Sequence, residues 1–354
     1  MIVTASTVKD TLPNIERFVA GNLANGVDHM FVFLDAPDPE VRGFLDSHEH
    51  VTAVRTDKTW WHGERPHQLN DRQRINANVV KVLLSCLDWA EWLFHIDADE
   101  IALIDRAELA RVPAEQRVVR LEPLEAVSQM TWEGDPTYFK RLLGKGDLTL
   151  LQTLGVLERA SNGDYFHGHV DGKVGLRPCL DLWLTLHQVV DADRNQVDAA
   201  TGAGLQLLHY ESWSGDDFVR KWTSILAAGP LANFRPAREP TAVALQTLIK
   251  KGLSEEQTRP YLMRIFERTT LDDLETLRDL DLLEEHRPLE GTHTPAALPT
   301  DARETMEGLL ARLHAEPKQP FRPGAGTADV EAMLSRAGVT PREVKAGRRF
   351  LRRS

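Results

Sequence analysis

The chain predicts an α/β fold, in which a mainly parallel sheet is sandwiched by helices and followed by a helical C-terminal region. Two observations predict it. The first 225 or so residues alternate short apolar runs with segments of helical period, in the order strand, helix, strand, strand, helix, strand. One of those runs, Trp92–Ile96, leads straight into a cluster of carboxylates, as strands of open α/β sheets do where they meet a ligand crevice.

Met1–Thr7 is the first strand. Pro13 then opens a helix whose Ile15, Phe18, Val19 and Leu23 share one face, and Gly26 closes it as a left-handed terminal residue would. Met30–Leu34 is a continuous apolar run ending at Asp35, followed by a loop with Pro37 and Pro39. Val51–Arg55 is a third strand. Residues 68–91 form a long helix with Ile75, Val79, Leu83 and Leu87 in register, and Trp92–Ile96 is a short buried strand. The segment RVVRLEPLEAV, residues 117–127, is a further strand expected to run alongside it.

All eight tryptophans lie before residue 225, and the remainder is rich in Leu, Glu, Arg and Ala, with helical spacing such as Leu271, Leu274, Leu277 and Leu280. Proline-containing breaks at 236–240, 295–299 and 317–323 divide it. The expected division is therefore an α/β domain over 1–228 and a helical region over 229–354, whose apolar faces offer a homodimer contact. The final stretch, PREVKAGRRFLRRS, holds six basic residues and one acidic, which suits a solvated helix or a contact with an anionic membrane face.

With 354 residues, 42% hydrophobic and 27% charged, the chain can bury a sizeable core. A formal net charge of −11 argues against nucleic-acid binding, which needs a basic face. No apolar run approaches the roughly 18–20 residues of a membrane span, so no transmembrane segment is expected. The opening MIVTASTVKD lacks the features of a signal peptide. Only Cys86 and Cys179 are present, too few for a disulfide framework or a cysteine-rich zinc site. A cytoplasmic location is the expectation, peripheral to the inner membrane face if the basic stretch makes that contact.

The chemistry concentrates in WLFHIDADEI, residues 92–101, where Asp97, Asp99 and Glu100 follow an apolar strand. Carboxylates one residue apart can share a hard divalent cation, which can in turn bridge phosphate oxygens. An acidic surface turn is the bland alternative. Thr7, Lys9 and Asp10 close the first strand and Asp35 the second, and in a parallel sheet these ends converge on the same crevice. Asp10 and Asp35 also suit caps or turns, a common use of Asp near Pro.

The pattern TVKDTLPNIERFVAGNLANGVDHMFVF followed by WLFHIDADE resembles the family 2-like glycosyltransferases of the GT-A fold, in particular the subgroup related to family 92. GKVGLRP, LTLHQV and LLHYESWSGDDFVRKW are similar to later blocks of that subgroup, so the resemblance covers residues 1 to about 225. It implies a GT-A nucleotide-diphospho-sugar transferase domain, Rossmann-like, over 1–228. It implies a metal, Mn²⁺ or Mg²⁺, on Asp97 and Asp99, completed by His209, although a histidine at a strand end is also an ordinary core residue. It implies nucleotide-sugar contacts, with a UDP-sugar favoured, from Thr7, Lys9, Asp10, Asp35, Gln73, Asn76, Asp97, Lys173 and Arg177. Lys173 and Arg177 would offset diphosphate charge; on a solvated strand face they would do nothing of the kind. The acceptor would be a hydroxyl of a glycan or related molecule, as in polysaccharide biosynthesis, and the transfer would be inverting.

An inverting transfer needs a base for that hydroxyl. Asp135 and Glu133 in MTWEGDPTYF are the local candidates, with His167 and His169 in FHGHVDGK as rivals. Trp132 beside them could stack on an acceptor sugar, or be buried. A nucleotidyltransferase is the alternative enzyme, but it would show a Gly-rich phosphate loop after the first strand, and TVKDTLP contains no glycine. A catalytically inactive nucleotide-sugar-binding protein is the other alternative. Metal-dependent release of nucleoside diphosphate separates it from the transferase.

Overall fold

The computed structural model describes residues 1–227 and 239–340. The boundary expected at 228/229 and the basic stretch from Pro341 onward lie outside them. The fold is mixed α/β. Its contacts group into two compact units: Met1–Glu122, Gly172–Leu207 and the chain from Pro288 onward form unit 1, while Pro123–Asp171 and Leu208–Arg287 form unit 2.

In unit 1, β1 (Ile2–Val8), α1 (Leu12–Ala24), β2 (His29–Leu34) and β3 (Val51–Arg55) follow the expected order, but the segment expected as a loop with Pro37 and Pro39 also forms a helix, α2 (Pro39–Ser47), opened by Pro39 and capped by the Asp38 side chain. A short helix, α3 (Lys58–Trp61), leads to α4 (Leu69–Ser85) and then β4 (Trp92–His95). α4 is shorter than the 68–91 periodicity implies. Cys86 caps it, and the chain then turns so that the Trp89 carbonyl accepts from the half-buried N-terminal ammonium of Met1 at 2.6 Å. Gly26 takes φ +112° just past α1, and a side chain there would strike the backbone of Ile104, so glycine is required on both counts.

β4, β1, β2 and β3 are parallel neighbours in that spatial order. β5 (Glu100–Ile104) follows the turn after β4, and β6 (Val118–Ala126) leads from unit 1 into unit 2. The expectation that residues 117–127 flank β4 is corrected here. A short antiparallel strand, Lys173–Leu176, lies between them, pairing with β4 on one side and with Val118–Leu121 on the other. It approaches closely because Gly175 presents no side chain to the Phe94 ring.

Apolar residues fill both faces of this sheet. One face packs Val3, Ala5 and Leu93 against Val79, Val80 and Leu83 of α4. Met306 and Leu313 of helix Thr300–His314, and Val330, Met333 and Leu334 of helix Thr327–Arg336, join the same core. The units are thus interleaved along the chain, because these two C-terminal helices have apolar stripes buried in unit 1. The other face packs Ile15, Phe18 and Val19 of α1 with Met30, Val32 and Phe94.

In unit 2, β7 (Tyr138–Lys140) pairs antiparallel with Glu125–Ala126 on one side and with the strand Leu283–Glu285 on the other. That last strand falls in the region expected to be wholly helical. Its sequence, Leu-Glu-Glu, has no strand signature, and only the open edge of β7 recruits it. Helices Gly215–Ala227, Glu239–Ile249 and Glu255–Thr269 gather Phe218, Trp222, Leu245, Leu262 and Phe266 into a separate small core. Among the described residues no helix is long and apolar enough to cross a membrane.

Candidate active site

Four strands of unit 1 run parallel, so their carboxyl ends share one edge, the edge at which such sheets bind ligands. The turn after β4 is tied at both ends: the Glu100 amide donates to the Asp97 carbonyl at 3.2 Å, and the Asp97 amide donates to the Glu100 carboxylate at 2.6 Å. This reciprocal pair holds Asp97, Asp99 and Glu100 together, with Glu100 buried and Asp97 and Asp99 half-buried.

Asp97 is oriented through both oxygens. Gln73 of α4 donates to Oδ1 at 2.6 Å, and the fully buried ammonium of Lys173 donates to Oδ2 at 2.6 Å. Lys173 also lies 3.7 Å from Glu100. Burial alone would lower the pKa of Lys173, but Asp97 and Glu100, with a smaller contribution from Asp99, raise it above the ordinary lysine value. It therefore stays charged at neutral pH, a buried ammonium facing Asp97 and Glu100. His95, two residues before Asp97, is neutral: burial and then the charge of Lys173 pull its pKa down to about 4.

One turn further along α4, Asn76 donates to the Thr7 hydroxyl at 2.9 Å and accepts from the Trp60 indole at 3.1 Å. Gln73 and Asn76, three residues apart, present one face of α4 to the ends of β4 and β1. Asp35, at the end of β2, is gripped by Arg72 at 2.7 Å through both oxygens and by Arg65 at 2.9 Å, which leaves its side chain only 5% exposed. A carboxylate so engaged can offer a nucleoside little without releasing Arg65. Lys9 is exposed, and Asp10 accepts from the Thr11 amide and from Asn14 at the start of α1, a turn-and-cap role. Arg177 sits on the amino-terminal side of β4, bonded to Glu91 at 2.8 Å and stacked 4.3 Å over the Trp92 ring. It is on the opposite edge of the sheet from Asp97.

Unit 2 holds the remaining expected residues. Its centre is a buried charge network. Lys140, with no exposed side-chain surface, pairs with Glu125 at 3.0 Å and Asp272 at 3.1 Å. Glu125 also accepts from the backbone amides of His167 at 2.7 Å and Gly168 at 2.5 Å, and Asp272 contacts the His167 ring at 3.0 Å. Burial would raise both carboxyls, yet Lys140, with help from His167, holds Glu125 below its usual range and Asp272 down to about 2.

This network fixes the loop His167–Gly168–His169. His169 stacks on His209 with ring centroids 4.7 Å apart, and His209 in turn lies 3.7 Å from Glu211, which is bonded to Lys221 at 2.7 Å. Gly168 is where the loop passes these groups, and a methyl there would overlap the His209 ring and the Glu125 carboxylate. Glu133 and Asp135 are exposed, on a loop where Gly134 takes φ +83°. Trp132 is half-buried and donates to the Val127 carbonyl at 3.1 Å.

Sequence reasoning missed Glu100 as a turn-closing residue, Arg65 and Arg72 as the partners of Asp35, and the Glu125–Lys140–Asp272 network. Glu125 and Lys140 did carry a signal, as charged residues within strand-like runs, which are rarely buried unless paired. Asp272 carried none, being 132 residues from Lys140.

Neither a family model nor a curated protein matches the chain. Among solved structures it is similar to HddC from Yersinia pseudotuberculosis, at 10% identity and a TM-score of 0.32, over 62% of this chain and 97% of that one. A likeness at that level does not bear on function.

Proposed function

We propose that the chain is a metal-dependent glycosyltransferase of GT-A type, related to the family 2-like enzymes and their family 92 subgroup, that moves a sugar from a nucleotide-diphosphate donor to an acceptor hydroxyl. The observation that carries this reading is the carboxylate turn at the end of β4, oriented by Gln73 and offset by one buried ammonium, Lys173. The donor set fits the cation: Asp97 and Asp99 supply hard oxygen ligands, which suit Mn²⁺ or Mg²⁺. His209 is the further ligand that the sequence resemblance supplies. The bound cation would stabilise charge developing on the diphosphate leaving group.

The chain's own residues do the rest. Lys173 brings positive charge for the same diphosphate, Thr7 and Asn76, buried and bonded to one another, brace the strand end beside which the nucleoside would lie, and Arg65 can exchange Asp35 for donor. Arg177 is left out of the reading because Glu91 and Trp92 occupy its guanidinium. The base comes from the acidic loop at Glu133 and Asp135 or from the ordered histidine loop at 167–169.

A thermal-shift screen of UDP-, GDP-, CDP- and dTDP-sugars with and without Mn²⁺ tests the proposal, since a ligand of the native state raises its stability with the logarithm of concentration over Kd. One nucleotide class should stabilise the protein only with metal, and Asp99→Ala should abolish that shift while leaving the unliganded melting temperature close to the parent's. If no nucleotide sugar shifts the parent, or Asp99→Ala responds as the parent does, the assignment fails.

A further inference from the structure

β3 is the terminal strand of the parallel sheet of unit 1, and among the described residues no strand pairs with its outer edge. The ladder with β2 fixes which backbone groups face outward. The Met30 amide donates to His50 and the Thr56 amide donates to Leu34, so alternation directs the backbone of Thr52 and Val54 toward β2. The amides of Ala53 and Arg55 and the carbonyls of Val51 and Ala53 point the other way, while the Val51 amide is used by the His48 carbonyl at 3.0 Å. Along this edge runs a groove of about 660 Å³, whose walls include Arg42 and His48 on one side and Arg303, Glu307 and Leu310 on the other. The strand carries no Pro, no Lys and no bulge, the usual devices that stop an edge from pairing.

We propose that this edge is a homodimer interface, in which β3 pairs antiparallel with β3 of a second copy about a two-fold axis through Ala53. In that register both free outward donors find acceptors: the Ala53 amide meets the Ala53 carbonyl of the other copy, and the Arg55 amide meets the Val51 carbonyl. The symmetry makes four hydrogen bonds from one five-residue strand and pairs the outer edge of both copies at once. Charge selects the same occupant. Arg55 is exposed at one end of the edge and Glu49 is exposed in the turn that leads into the other end, so antiparallel pairing brings each arginine toward the glutamate of the other copy. The axis repeats this pair, so an arginine and a glutamate that do not bond one another within one chain become two complementary pairs between chains.

The full chain should sediment as a concentration-dependent dimer. Ala53→Pro removes an amide that faces away from β2, so the fold should survive, as its circular dichroism and melting would show, while the dimer is lost. Should that variant fail to fold, Arg55→Glu gives the same reading through charge: it should dissociate the dimer, and adding Glu49→Arg should restore it. A parent that is monomeric at every concentration, a folded Ala53→Pro chain that remains dimeric, or an Arg55→Glu loss that Glu49→Arg does not restore would overturn the proposal.

Discussion

Replacing Lys173 with methionine keeps the length of the side chain and removes the ammonium that the structure pairs with Asp97 and Glu100. Lys173 and Glu100 have no exposed side-chain surface, so the substitution takes a buried counter-charge away from Glu100 and Asp97. Breaking a buried pair from one side typically costs about 3–5 kcal/mol. For a domain of this size that corresponds to a fall in melting temperature of roughly 6–20 °C. The same change makes the turn a stronger cation site, because a divalent ion can take the place of the lost ammonium. Mn²⁺ at a hundred times its Kd would return about 2.7 kcal/mol. Thermal and urea melts of parent and variant, each with and without Mn²⁺, read both effects. The variant should be markedly less stable without metal and should gain more from Mn²⁺ than the parent does. A Lys173→Met chain within about 1 kcal/mol of the parent would show that the ammonium does not balance the turn, and equal metal responses would refute its competition with a cation.

Lys140→Met should cost a similar amount in unit 2, about 3–5 kcal/mol by urea melts at pH 7. The parent's Asp272 is held near 2 against an ordinary 3.8, so its contribution is present above pH 4 and fades as pH falls toward 2. Without Lys140 both carboxyls rise in pKa, and the deficit relative to the parent should shrink on acidification; a deficit that grows instead would contradict this. Gly168→Ala forces a methyl against His209 and Glu125 and should lower stability by about 1–3 kcal/mol, measurable by the same melts. Asp135→Asn retains hydrogen bonding but not proton acceptance. If Asp135 is the base, the transfer rate should fall by about 10²–10⁴ with donor binding intact, whereas a rate within a few-fold of the parent gives the role to Glu133, His167 or His169.

The sequence by itself determined the local elements of unit 1. β1, α1, β2 and β3 sit where their apolar patterns put them, because each buries an apolar stripe or run that needs no distant partner to be recognised, whereas α2, with only Val41 and Leu45 buried, reads as a loop in the sequence. It also determined that Asp97 and Asp99 stand at a strand end. Tertiary structure alone decided what those carboxylates meet. Lys173 is 76 residues from Asp97, and only a short antiparallel strand inserted between β4 and β6 brings the two together. The same insertion turns Arg177, four residues along that strand, toward Glu91 on the opposite edge of the sheet, although the sequence groups it with Lys173. Arg72 claims Asp35 across 37 residues, and Asp272 completes a network with Lys140 across 132. The physical reason is common to all of these. A buried charge is stable only beside its counter-charge, and chain folding, not residue spacing, sets which counter-charge arrives.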